Sequence, residues 1–275
     1  MLFWIIARLG LLSSERVAFH GLGHKQSSWS TMVVAYGGAA LVLWLGALIM
    51  GSAHFIAAAF WPGSVYAVSF ALYTIALSRG EVGQVSAWAN ATPVLLFLWN
   101  PTGTGWAWVA VAGFALGAVW LGGLRRGHID ASVVWMLLSD VVLVIGRLLD
   151  ASHTGFNPIA YAASLYLVVT GWMLLTMFLL GQGRATIKLV QGRPLWSLFA
   201  AAANGGSYLT LFSLLKLMPV TLIEAVSALA GVGATVIGVL WFHEKGRRRK
   251  ILASSMMTLA TILLLYDHRG MLRVQ

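Results

Sequence analysis

A chain of 275 residues with 59% apolar and 9% charged side chains cannot cover its own surface in water, because a soluble domain keeps roughly a quarter of its residues charged. The absence of cysteine excludes disulfides, thiol catalysis and Cys-ligated metals. The net charge of +10 is no nucleic-acid signal, because the basic residues sit mostly in short loops between long apolar runs.

Those runs have the length of membrane helices. A hydrocarbon core of ~30 Å takes about 20 helical residues to cross. The first run, 2–20, is interrupted by Arg8, Glu15 and Arg16. No small-residue cleavage site follows MLFWII before these charges, so no removable signal peptide is expected. Runs at 31–50, 56–78, 84–99 and 106–122 complete a first group of five. A basic, polar joint, LGGLRRGHID at 121–130, leads to further runs at 133–150, 158–181, 196–215, 219–242 and 251–266. Continuous apolar stretches predict helices, since barrel strands alternate in polarity over ~10 residues. The expectation is an all-α integral membrane protein with ten transmembrane helices, its partner the lipid bilayer.

Ten spans sort the loops onto two sides. One side carries Lys25, Arg79, Arg125, Arg126, Arg184, Lys188, Arg193, Lys245, Arg247, Arg248, Arg249 and Lys250; the other carries Lys216, Arg269 and Arg273. This bias puts the first group in the cytoplasm. The basic loops 123–130, 182–194 and 243–250 are therefore expected on the cytoplasmic face of a plasma (inner) membrane, with both termini outside. The GRRRK cluster at 246–250 then lies beside anionic headgroups, and no nucleic-acid partner is expected.

The two groups of five also align with each other. An offset of 131 lays Trp4 on Trp135 and Arg16 on Arg147; an offset of 135 lays Tyr73 on Tyr208 and Ser78 on Ser213. Residues 1–125 and 126–275 thus read as two five-helix repeats of one membrane domain. An odd number of spans per half requires inverted insertion, the plan of many secondary transporters, whose substrate site lies at mid-membrane between the repeats.

Two stretches carry a family resemblance: FALYTIALSRGEVGQVSAWANATPVLLFLW at 70–99 and SYLTLFSLLKLMPVTLIEAVSALAGVGATVIGVLWFHEK at 207–245. Together they resemble the drug/metabolite transporter superfamily, specifically its EamA-type ten-helix members. In each half of that family a third helix ends in a basic or polar turn, and a Ser/Ala-rich fourth helix follows. Glu244 fits the acid that often closes this unit, whereas the first half reads WNPTGTG and lacks one. Arg16 and Arg147 occupy positions where members commonly carry a basic residue on the first helix of each half. Family members usually keep both termini in the cytoplasm, the reverse of what the basic loops indicate. The resemblance implies a solute carrier or exporter working by alternating access.

Each ionisable group inside a bilayer costs a few kcal/mol or more. Asp140 and Arg147 are seven residues apart, on one helix face, and Asp150 follows Arg147 at i+3. Arg8 and Glu15 repeat the spacing with the signs reversed. Arg147 and Arg16 are candidate substrate-binding residues, since a guanidinium suits a carboxylate or phosphate; the competing reading is a helix–helix ion pair. Glu224, in VTLIEAVSALAG, has no basic residue within one turn. With Asp140 it is a candidate ion-coupling residue, the alternative being a carboxylate near a helix start past Pro219. Tyr73, Ser86, Trp88, Asn90, Asn204, Tyr208 and Ser227 complete a candidate substrate cavity. Interhelical hydrogen bonding is the plainer reading of each alone.

GFALG at 113–117 and GVG at 231–233 suit close helix packing rather than nucleotide binding. Tryptophans 61, 99, 106 and 196 suit an interfacial belt. No GxSxG, HExxH or phosphate-binding loop occurs, and His243–Glu244 reads as a solvated pair in a charged loop. No enzyme activity, cofactor or metal is implied. The expected function is secondary transport of a small-molecule substrate bearing an anionic group, such as an amino acid, organic acid, phosphorylated metabolite or lipid-linked phosphate. Proton coupling or exchange would drive it. A membrane-embedded lipid-modifying transferase and a non-catalytic assembly subunit are the alternatives.

Overall fold

A computed structural model describes residues 1–99, 105–122, 130–151, 153, 155–218 and 220–272. Residues 100–104 of WNPTGTG, the joint 123–129 with Arg125 and Arg126, Pro219 and Arg273 lie outside the described residues. The helices are α1 (Leu2–Gly23), α2 (Ser28–Ile49), α3 (Phe60–Arg79), α4 (Val82–Trp88), α5 (Thr92–Trp99), α6 (Gly105–Gly122), α7 (Ala131–Ala151), α8 (Pro158–Leu179), α9 (Gly183–Gly192), α10 (Pro194–Leu215), α11 (Val220–Trp241) and α12 (Arg247–Leu272). A 3-10 turn, Ala57–Ala59, precedes α3. No strand occurs among the described residues.

Helix ends follow local chemistry. The Ser27 side chain accepts from the Ser30 N–H to start α2, and Asn157 accepts from the Ile159 and Ala160 N–H groups just before Pro158. Both satisfy donors that the first turn leaves without helical partners. Pro194 sits at the first turn of α10, where its missing N–H costs nothing.

Two expectations are corrected. The span at 84–99 is not continuous: it breaks at 89–91 between α4 and α5, where Pro93 cannot donate the N–H that a through-going helix would need at Ala89. The loop at 182–194 contains the helix α9.

Five helical segments are long and apolar enough to cross a membrane: Ser28–Ile49, Ala57–Arg79, Ala131–Asp150, Pro158–Leu179 and Pro194–Leu215. Gly105–Leu121 and Ser227–Trp241 are apolar but shorter. A helix of 22 residues such as α2 is about 33 Å long at ~1.5 Å per residue, a membrane thickness. Large apolar side chains point outward along these helices, including Leu41, Leu45 and Leu48 on α2 and Leu198 on α10. An outer surface of this kind suits lipid and not water. The chain is an all-helical membrane protein.

Inside, α3 packs on α7 and α8, α1 on α10 and α11, and α2 on α8 and α10, while α4 lies against α11 and α6 against α12. One apolar core joins α1, α2, α3, α7, α8 and α10; a second joins α4, α5, α6 and α12. Small residues set the approach. A Cβ at Gly117 would stand 2.7 Å from Met257 Cγ and 3.3 Å from the Ala253 carbonyl, so α6 meets α12 closely only with glycine there.

One end of the bundle gathers basic side chains. Lys250 Nζ lies 2.6 Å from Glu81 and 2.8 Å from Glu244, and Glu244 also accepts from the Gly83 N–H at 3.0 Å. Glu244 is therefore not the solvated residue expected: its carboxylate is enclosed and ties the start of α4 to the α11–α12 corner. Arg193 donates to the Gly21 carbonyl at 2.6 Å on the same end. Trp61 and Trp99 are exposed, but Trp196 is held against α1, its ring occupying the space a Cβ at Gly21 would need.

Candidate functional site

A cavity of about 60 Å³ lies between α1, α3, the α4–α5 break, α7, α10 and α11. That is room for about four waters, at ~15 Å³ each. Three guanidiniums, of Arg8, Arg16 and Arg147, and three carboxylates, of Glu15, Asp140 and Glu224, line it. All six residues are buried. Charges removed from water in this way persist only where partners compensate them.

Arg147 on α7 is the most heavily partnered. Its Nε stands 2.9 Å from Glu224 on α11, and its Nη1 donates to the Tyr66 hydroxyl at 3.0 Å. The Asp150 carboxylate is 3.9 Å away and accepts instead from the hydroxyls of Tyr66 and Tyr161. The Arg147–Asp150 pairing expected from spacing is thus the long contact. The short one is to Glu224, which sequence left without a basic neighbour because its partner comes from another helix. The guanidinium also lies 5.7 Å over the Tyr66 ring and 5.6 Å over that of Tyr208, close enough for attraction by the ring faces.

The α1 charges are held differently. Arg8 donates to the Ser207 carbonyl at 2.5 Å and to Ser227 Oγ at 3.3 Å. The Ser207 hydroxyl donates to Glu15. Arg16 donates through Nη1 to the Ser86 carbonyl at 2.7 Å, near the end of α4. Among the described residues neither Arg8 nor Arg16 has a carboxylate within ion-pair distance. Arg16 Nε has no hydrogen-bond partner there either.

Two acceptors match that unused donor. Asp140 takes one hydrogen bond, from Thr92 at 3.0 Å, and its other oxygen has none. Asn90, in the α4–α5 break, donates to Thr258 at 3.0 Å while its carbonyl oxygen stays unpartnered. A Cβ at Gly231 would stand 2.4 Å from this amide, so the glycine lets α11 approach the break. Buried polar groups are ordinarily paired. The unused Arg16 donor, the two unused acceptors and the unpartnered Tyr73 hydroxyl around one hollow are what a polar solute would satisfy.

The structure brings together Arg16, Tyr73, Asn90, Asp140, Arg147, Tyr208, Glu224 and Ser227 at the cavity wall. Ser86 is buried behind it and contributes its carbonyl. Trp88 packs into the apolar cores, and Asn204 is buried in α10 off the wall. Sequence reasoning passed over Arg8, Glu15, Thr92, Ser69 and Ser139 as site residues. The signal for the first two was present, since they share a face of α1 at i and i+7. For Thr92 and the serines there was none, because hydroxyls are common in membrane helices.

No family model matches the chain, and no curated protein does. Among the solved structures similar to it, one crystal structure of a protein matches over 98% of this chain and 97% of its own, with a TM-score of 0.56 and 14% identity. At that identity the likeness speaks to the fold alone.

Proposed function

We propose that the chain is a secondary transporter that binds a small solute with an anionic group in this central cavity and releases it by alternating access. The observation that carries the reading is Arg16: a buried cation without an acid, facing a hollow that holds Asp140 and Asn90 with oxygens to spare. Arg16 receives the anionic group, and Asp140 and Asn90 receive donors from the same solute. Arg147 is committed to Glu224. Asp140 and Glu224 are the proposed ion-coupling residues, and a gradient or exchange would drive the cycle without ATP. The protein converts no substrate chemically.

In this reading the ten spans are α1, α2, α3, α4–α5, α6, α7, α8, α10, α11 and α12, in two inverted halves of a plasma (inner) membrane protein. The helix contacts support it. Exchanging each helix for its counterpart five spans on turns α1–α10 into α7–α3, α2–α10 into α8–α3 and α1–α11 into α7–α4, all of which are packed pairs. The pairs α2–α8, α4–α11 and α6–α12 map onto themselves. A two-fold relation of this kind supplies two alternative closures of one site. The basic end would face the cytoplasm.

Purified protein in liposomes loaded with unlabelled solutes tests the reading. Counterflow of a labelled amino acid, organic acid or phosphorylated metabolite is expected. A protein that binds these solutes in its cavity and moves none of them would overturn it.

A further inference from the structure

The short helix α9 and the corner after it have no part in the cavity. Two sides of α9 are spoken for: Leu189 is buried, and Thr186 donates to Met177 S and the Gln182 carbonyl. Its remaining face is exposed and divides lengthwise. Arg184 and Lys188, four residues apart, form a basic edge, and Ile187 and Val190, three apart, form an apolar edge beside it. No acidic residue lies on this helix. The neighbouring turns place exposed Phe178, Leu179, Leu195 and Leu198 on either side, so the helix runs along the level where the apolar outer surface of the bundle ends.

Beside it is a surface groove of about 540 Å³, lined by Gly21, His24, Arg193, Trp196 and Phe242 among others. Arg193 is fixed over its floor by the Gly21 and Leu22 carbonyls, both held through Nη1. An anionic headgroup in this groove would meet Arg193, with Arg184 and Lys188 along α9. The acyl chains would pass over Ile187 and Val190 into the hydrocarbon. A helix with one basic and one apolar edge lies in the interfacial plane for the same reasons.

We propose that α9 and the adjoining groove form a binding site for the phosphate headgroup of an anionic phospholipid in the leaflet at the basic end. The inference depends on the membrane fold and not on transport. Each basic residue near an anionic surface is worth about fivefold in binding, so the Arg184–Lys188 pair is worth about 25-fold.

The test uses full-length protein in phosphatidylcholine bilayers containing photoactivatable phosphatidylglycerol, with the crosslinked peptides mapped. Crosslinks are expected within 183–198, reduced about 25-fold in Arg184→Gln/Lys188→Gln and little changed in Arg248→Gln/Arg249→Gln, which alters another basic loop. Equal labelling of the wild type and the α9 variant would overturn the proposal. So would an equal loss in both variants, which would show only diffuse attraction to a basic surface. Counterflow measured on the same samples reports on transport separately.

Discussion

Two arginines that look equivalent in sequence differ in what surrounds them. Arg147 is enclosed by Glu224 and Tyr66, and Arg16 holds one backbone carbonyl. Removing one partner of a buried ion pair leaves an uncompensated charge and costs about 3–5 kcal/mol. Arg147→Ala is therefore expected to lower thermal stability sharply in detergent, and Arg147→Met/Glu224→Gln to restore most of it. A single variant as stable as wild type would show that the pair is not energetically linked. Arg16→Lys keeps the charge and loses the forked donor set. Hydrogen bonds to charged groups contribute about 1.5–3 kcal/mol, so counterflow should fall about 10- to 100-fold with little change in melting. Unaltered flux in Arg16→Lys would remove this residue from the binding role.

At the scale of elements, the helices meet where side chains are small. Gly117 lets α6 lie against Met257 and Ala253 of α12, and overpacking such a seam costs about 1–3 kcal/mol. Gly117→Val should lower the stability by about that much, read as a drop in melting temperature, whereas the same change at Gly10, which meets nothing within 4 Å, should cost far less. Equal effects at the two positions would mean that helix propensity, and not the α6–α12 seam, sets the loss. The α4–α5 break was only half legible. Pro93 was in view, but a run of apolar residues on both sides reads as one span, and the use of the break appears only when Asn90 is seen facing the cavity.

For the whole molecule, the absence of cysteine makes orientation measurable. Single cysteines introduced at exposed Arg79, Lys188 and Lys245 should react with an impermeant maleimide only from the cytoplasmic side. Cysteines at exposed Gly51 and Gly155 should react only from the opposite side. Mixed labelling within either group would break the ten-span assignment, and a clean reversal would keep the spans and invert the protein.

Composition and run length alone determined a helical membrane protein, because nine per cent charge leaves no other solvent, and helical spacing put Asp140 with Arg147, and Arg8 with Glu15, on shared faces. The partners were decided only in three dimensions. Glu224 and Arg147 are 77 positions apart, from 147 to 224, and Glu244 reaches Gly83 and Lys250 rather than water. A low-dielectric interior makes each buried charge find its counter-charge wherever the packing brings one, and packing pairs helices far apart in the chain. Local sequence records which residues need partners; the tertiary structure records which of them still lack one.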